Sequence, residues 1–205
     1  MSVRFEKLAY AKILLFLLAL LPLASLIYGV VEDSLGANPV EVVTRASGEW
    51  ALRFLLLTLT MTPLRLVLKQ AWPLRLRRML GLFCYFYVCI HLLCYLWLDQ
   101  FFDWGEIIAD IFKRPFITAG MLAFLLLTPL ALTSTRAMMR RLGRHWQRLH
   151  RLVYLIAGLA VLHYFWLVKA DTRLPVVYLL ILIILLSFRL TSIRTKLLAL
   201  LARTK

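Results

Sequence analysis

Acidic residues are scarce in this chain and almost missing from its long apolar stretches. Asp and Glu number 10 against 25 Lys and Arg, and charged residues of all kinds make up only 17% of the 205 positions. Glycine is sparse too, and the eight glycines form neither a G-x-G-x-x-G nor a P-loop pattern. No connection between the apolar stretches is long enough to fold as a soluble domain. A binding site for NAD or ATP within this chain is therefore not expected.

Apolar sequence is what the chain has in abundance. Hydrophobic residues make up 62% of it, and the mean hydropathy is +0.83. These residues fall into blocks that approach the length needed to cross a bilayer, so we predict an all-α polytopic membrane protein. The expected architecture is a six-transmembrane-helix bundle that forms a single domain over residues 1–205. The predicted spans are Ile13–Val31, Trp50–Leu68, Met79–Leu98, Pro115–Thr135, Leu152–Val168 and Leu174–Phe188.

The charges between these spans predict the orientation of the chain. Lys and Arg cluster before the first span, in the second and fourth connections and after the sixth span, whereas nine of the ten acidic residues lie in the alternate connections. Because basic loops stay in the cytoplasm, we predict that both termini are cytoplasmic. The net charge of +15 is thus explained without nucleic acid. The first apolar run resembles a signal peptide, but its length favours an uncleaved anchor.

Two histidines lie deep inside predicted spans, His91 in the third and His163 in the fifth. At about 1.5 Å per residue, both lie ~17–20 Å into an apolar layer ~30 Å thick. Ionisable residues inside a membrane are costly and usually functional. Since the third and fifth spans run in the same direction, we expect them to pack as parallel neighbours, with the imidazoles as axial ligands of a haem iron. The alternative for each is a hydrogen bond to a neighbouring helix.

The fourth connection is rich in hydrogen-bond donors and cations. His150, Trp146 and Arg144, with Arg77 and Arg78 from the second connection, suit a flavin phosphate or a quinone head group. The positive-inside rule alone is the competing explanation for the arginines. Thirteen residues turn an ideal helix by ~140°, so His150 is not expected to share the face of His163.

We predict one haem rather than two. A second haem that used His150 would need a ligand near position 78 of the third span, where the arginines Arg77 and Arg78 cannot bind iron. His145 is expected to be solvated. Arg53, near the outer end of the second span, is a candidate partner for a haem propionate, and snorkelling to the interface is the alternative.

Three further features of the sequence bear on the fold. Residues 103–112 have the apolar spacing of an amphipathic helix, with Trp104 on the apolar face and Asp103, Glu106 and Asp110 on the other face. We expect this helix to lie on the outer surface. The three cysteines are expected to be small buried thiols, because their spacing places them on no common helix face. No internal repeat is evident.

Several motifs resemble one known family. They are Leu35-Gly-Ala-Asn-Pro-Val, Thr62-Pro-Leu, Arg77-Arg-Met-Leu-Gly-Leu, Arg114-Pro, Leu132-Thr-Ser-Thr-Arg-Ala-Met and Gly143-Arg-His-Trp-Gln-Arg-Leu-His150, followed by Leu152-Val-Tyr-Leu and His163-Tyr. Nearly the whole chain resembles the MsrQ family of ferric-reductase-like transmembrane proteins, which are relatives of NADPH oxidases.

The resemblance implies haem b and FMN as cofactors in a bacterial inner-membrane protein. It further implies that electrons come from the quinone pool or a cytosolic flavin reductase. They would pass to the periplasmic molybdenum enzyme MsrP, which repairs oxidised methionines. The oxidase branch has two histidines on each of two helices, whereas the third span here has only His91. No substrate-converting site of the chain's own is evident. The alternative function is a haem-free membrane scaffold or a small transporter.

Overall fold

The computed structural model describes residues 2–168 and 170–190, with side chains from residue 8 onward. Its regular secondary structure within these residues is entirely helical. The helices are α1 (Ser2–Val31), α2 (Pro39–Leu68), α3 (Trp72–Leu93), α4 (Trp104–Lys113), α5 (Pro115–Leu132), α6 (Arg136–Leu142), α7 (Arg144–Leu149), α8 (Leu152–Leu167) and α9 (Arg173–Ser187), and α3 continues as a π-helical segment, Cys94–Asp99. Of the basic residues after the sixth predicted span, on which the cytoplasmic C-terminus was predicted, only Arg189 lies within the described residues.

Three helices begin where the sequence signals a start. Asn38 caps α2 by accepting a hydrogen bond from the amide of Glu41, and Pro39 takes the first helical position, where its missing N–H costs nothing. Asp103 caps α4 in the same way. α5 begins at Pro115. The predicted second span is therefore the later part of a longer helix.

Five of the described helices are long and apolar enough to cross a membrane: Leu8–Val31, Pro39–Leu68, Trp72–Asp99, Pro115–Leu132 and Arg144–Leu167. The protein is thus a multi-pass membrane protein. α9 is apolar but has only 15 residues, about 22 Å at about 1.5 Å per residue, which is short of a ~30 Å layer. Because α9 is this short, the sixth span stays a prediction.

Two helix pairs form the centre of the fold. α3 packs mainly against α2, and α8 packs mainly against α5. The sequence predicted that the third and fifth spans pack as parallel neighbours. In the structure the corresponding helices, α3 and α8, are not close-packed against each other. The two pairs instead face each other across a cavity that holds both deep histidines.

α1 packs on this centre through apolar side chains and is also hydrogen-bonded to it by one buried hydroxyl group. Tyr87 on α3 is fully buried. Its hydroxyl donates to the carbonyl of Ala19 (2.8 Å) and accepts from the amide of Leu23 (3.1 Å). These groups flank Pro22, which lies inside α1 and interrupts the backbone hydrogen bonding there. The tyrosine thus satisfies backbone groups that have no water to bind in the apolar layer.

The amphipathic segment is the helix α4, but its faces differ from the prediction. Ile107 and Asp110 are buried against the protein, whereas Trp104 and Phe112 are exposed. Asp110 does not lie on a solvated polar face because Arg114 holds it in an ion pair at 3.0 Å. The sequence pattern did not reveal this partner, which lies one helical turn later at the start of α5.

The two ends of the bundle have opposite charge. The acidic end carries the connections with Asp33, Asp99, Asp103 and Asp171, and the basic end carries those with Arg75 and residues 136–151. Among the cysteines, Cys84 and Cys94 are buried as expected and Cys89 is half-buried, and all three are free.

Candidate functional site

His91 and His163 face each other across the cavity between the two helix pairs. Their ring centroids lie 6.0 Å apart, with the ring planes at 81°. α3 supplies the first ring and α8 the second. The structure thus brings together the two histidines that the sequence singled out.

Each imidazole is held by one backbone carbonyl. Nδ1 of His91 lies 2.8 Å from the carbonyl oxygen of Thr44 on α2, and Nδ1 of His163 lies 2.6 Å from that of Phe116 on α5. A carbonyl only accepts, so each Nδ1 carries the hydrogen and donates it. The Nε2 lone pair of each ring is then free, which is the arrangement typical of histidines that bind metals.

The residues around the rings form an apolar cavity of about 320 Å³, within the size range of cofactor pockets. Its wall includes Leu52, Cys84, Phe124 and Ile156. Polar residues reach it only towards the acidic end of the bundle. These are Glu49, Tyr95, Asp99, Arg114 and Tyr164. We call this space the histidine cavity.

The histidine cavity fits a haem by its donor set and dimensions. A metal–imidazole bond is about 2.0 Å, so two imidazoles on opposite sides of one metal ion have centroids roughly 6 Å apart. The rings here already stand at that separation. Among the described residues, no cluster of three or more His, Cys, Asp or Glu could hold a metal ion by side chains alone. A paired site that leaves four equatorial positions to a porphyrin matches this donor set.

Arg53 is held one layer behind the cavity wall. Its guanidinium pairs with Glu49 at 2.5 Å, donates to the hydroxyl of Tyr178 at 3.0 Å, and lies over the ring of Trp50. Glu49 lines the cavity and also accepts from Tyr164 (3.2 Å). Arg114 lines the cavity directly, so a carboxylate at this end would meet Arg114 before Arg53.

A second cavity, of about 540 Å³, lies towards the basic end. We call it the basic cavity. Leu55, Cys84 and Leu127 line both cavities, so one layer of side chains separates them. Its wall contains Arg77, Arg78, Arg151 and Arg189, and no acidic residue among the described residues that line it. Such a surface suits an anionic ligand.

His150 and Trp146 form the aromatic part of the basic cavity. Their rings are stacked with centroids 3.9 Å apart. Trp146 donates through its indole N–H to the carbonyl of Thr133 (3.0 Å), and Nδ1 of His150 lies 3.1 Å from the carbonyl of Trp146. Nε2 of His150 is buried without a hydrogen-bond partner. It is therefore a free polar atom at the wall of a cavity.

His150 and His163 line different cavities. The rotation of an ideal helix does not apply to residues 150–163 as a whole, because α7 ends at Leu149 and α8 begins at Leu152. That His150 does not share the face of His163 stays a prediction. Of the other predicted residues, Arg77 and Arg78 reach the basic cavity, whereas Arg144 and His145 are exposed and do not line it.

Sequence reasoning missed a repeated unit around the deep histidines. Gly48 and Gly120 lie directly against the rings of His91 and His163. The signal was present in the sequence, because 43 residues separate the glycine from the histidine in both cases. It also missed Arg189, whose guanidinium donates to the carbonyl of Leu59 and lies over the ring of Tyr154.

The chain matches one family model, the ferric reductase like transmembrane component, over residues 47–161. That range covers more than half of the chain. It includes His91 and ends two residues before His163. No solved structure matches the chain.

Close relatives extend the similarity to most of the chain. One from Azospira oryzae is 55% identical over 90% of this chain and 80% of its own length. One from Rhodospirillum rubrum is 57% identical over 87% of this chain and 86% of its own length. One from Herminiimonas arsenicoxydans is 50% identical over 89% and 85%. Each relative is named protein-methionine-sulfoxide reductase heme-binding subunit MsrQ.

Proposed function

The chain belongs to the MsrQ group of the ferric-reductase-like transmembrane family, and on that premise we propose that it is a haem-binding electron carrier of the inner membrane. In this proposal it passes electrons from the basic, cytoplasmic end of the bundle to the acidic, periplasmic end. The final acceptor is the methionine sulfoxide reductase MsrP, as the family resemblance implies.

The pairing of His91 and His163 in one cavity, with Nδ1 of each ring held by a backbone carbonyl, is the observation that carries this proposal. His91 and His163 would hold one haem b per chain as its two axial ligands. A bound haem supplies a centre that takes up and releases single electrons. The carbonyls of Thr44 and Phe116 keep each proton on Nδ1, which leaves Nε2 unprotonated and fixes the ring direction.

The basic cavity is proposed as the site where electrons enter the chain. It would take an anionic planar cofactor such as FMN, or a quinone head group. Trp146 and His150 offer a stacked aromatic surface, and Arg77 and Arg78 offer charge. Electrons would then pass between ligands bound in the two cavities, which share Leu55, Cys84 and Leu127 as lining residues. Arg144 contributes only to the charge outside the cavity in this proposal.

The alternative function, a haem-free membrane scaffold or small transporter, is tested by counting haem. We expect a pyridine haemochrome assay on the purified chain to find one b-type haem per polypeptide. In the basic cavity the third span contributes Arg77 and Arg78, which cannot bind iron, so His150 has no second iron ligand from that span. Finding none in correctly inserted protein would favour the scaffold or transporter. Finding two would overturn the single site and make His150 an iron ligand.

The topology has its own test. Six spans with cytoplasmic termini place the connections around Gly36, Trp104 and Thr172 outside and those around Arg75 and Arg140 inside. Alkaline phosphatase fusions should be active at the first three positions, and green fluorescent protein fusions should be fluorescent at the other two. A C-terminal fusion that is active only outside would contradict six spans and leave α9 out of the membrane.

A further inference from the structure

Gly48 and Gly120 stand in the same relation to the two deep histidines. A Cβ added to Gly48 would lie 2.9 Å from Nδ1 and 3.0 Å from Cε1 of His91. A Cβ added to Gly120 would lie 2.8 Å and 3.0 Å from the same atoms of His163. Contacts this short do not occur at real Cβ atoms, so only glycine leaves room for each ring in its place.

The carbonyls that hold the rings belong to the same repeat. In each half of the site, the accepting carbonyl lies four residues before the glycine and 47 residues before the histidine. We call each set of carbonyl, glycine and histidine a histidine seat. The first seat is Thr44, Gly48 and His91, and the second is Phe116, Gly120 and His163. The two seats are offset by 72 residues throughout.

The same offset relates Arg78 to His150, which both line the basic cavity. At these positions the offset relates an arginine to a histidine, whereas in the histidine cavity it relates two histidines.

We infer that Gly48 and Gly120 are positioning residues that set the orientation of the two axial imidazoles. The inference rests on the proposed haem site and adds to it. Each ring approaches its glycine closely through Nδ1 and Cε1, and Nδ1 reaches the carbonyl one turn before that glycine on the same helix. A methyl group on that helix face pushes the ring away from the carbonyl, so it weakens the hydrogen bond and redirects Nε2. The ring planes, now at 81° to each other, then change their relative angle.

Two other glycines on the same helices as the histidines provide matched controls. A Cβ on Gly158, which shares α8 with His163, would meet no atom within 4 Å, and one on Gly81, which shares α3 with His91, would meet only Thr58 at ordinary contact distance. Alanine is a better helix former than glycine. If helix propensity alone decided the outcome, all four Gly→Ala changes would be neutral or would stabilise the protein.

The test compares Gly48→Ala and Gly120→Ala with Gly81→Ala and Gly158→Ala in purified full-length protein. Low-spin ferric centres with crossed axial imidazoles have a more anisotropic EPR spectrum than those with parallel ones. We expect the first two variants to shift this EPR signal and to bind haem about tenfold more weakly, at the lower end of the range for losing a partner that orients a metal ligand. The two controls should keep the wild-type EPR signal and haem affinity.

A double-mutant cycle keeps the inference testable if a seat variant folds poorly. Gly120→Ala should lower the thermal midpoint of the haem-free chain when His163 is present, and should not lower it in the His163→Ala background, where the colliding ring is gone. Equal effects in both backgrounds would contradict a direct clash. Seat variants with a wild-type EPR signal and haem affinity would overturn the inference. If the wild-type chain binds no haem, the proposed function itself fails, which is a separate outcome.

Discussion

His91→Ala and His163→Ala are each expected to remove nearly all haem from the purified protein. Each substitution deletes one of the two imidazole rings that lie 6.0 Å apart and line the histidine cavity. Loss of a partner that merely orients a metal ligand costs about 10–100-fold in affinity, and loss of the ligand itself should exceed that. The measurement is haem per polypeptide together with the reduced-minus-oxidised spectrum.

A matched control is available for this experiment. His145 is exposed and outside both cavities, so His145→Ala should keep the full haem content. Gel filtration in detergent checks that each variant still inserts and remains monodisperse. Full haem retention in either His91→Ala or His163→Ala would remove the bis-histidine assignment, whatever the other variant does.

His150→Ala is expected to keep the haem and to slow its reduction by the physiological donor. His150 lies in the basic cavity, stacked on Trp146, with a buried Nε2 that has no partner within the described residues. Loss of a contact worth about 1.4 kcal/mol weakens donor binding about tenfold. The measurement is the rate of haem reduction at low donor concentration, where the rate follows donor occupancy.

Dithionite separates a lost donor site from a damaged haem site. It reduces the haem directly, so its rate should be the same in His150→Ala as in the wild type, and His145→Ala should match the wild type with both reductants. If His150→Ala loses haem as His163→Ala does, His150 is a haem ligand. If the physiological donor still reduces the haem at the normal rate, the basic cavity is not the donor site.

Much of the site was predictable because membrane spans constrain a sequence strongly. Long apolar runs and the depth of His91 and His163 within them follow directly from the sequence. In the structure the centroids of these two rings lie 6.0 Å apart. The bundle ends are also separated by charge in the way that the connections suggested. These features depend on periodicity and charge, which a single sequence displays.

The remaining features required the structure. Arg114 pairs with Asp110 across the boundary between α4 and α5, and α7 and α8 are separate helices on either side of His150. Local hydropathy signals neither feature, because a broken helix and an unbroken one have the same apolar pattern here. The pairing of α3 with α2 and of α8 with α5 also required the structure. This pairing explains why a cavity lies between α3 and α8 and why both histidines line it.

Electron transfer across a sealed bilayer tests the central claim most directly. Haem-loaded protein would be placed in vesicles that contain trapped ferricyanide, and dithionite would be added outside. We predict that the trapped ferricyanide is reduced much faster than in protein-free vesicles or in vesicles with His91→Ala. Reduction no faster than in these two controls, by protein that contains its haem, would contradict the account of this chain as a transmembrane electron carrier.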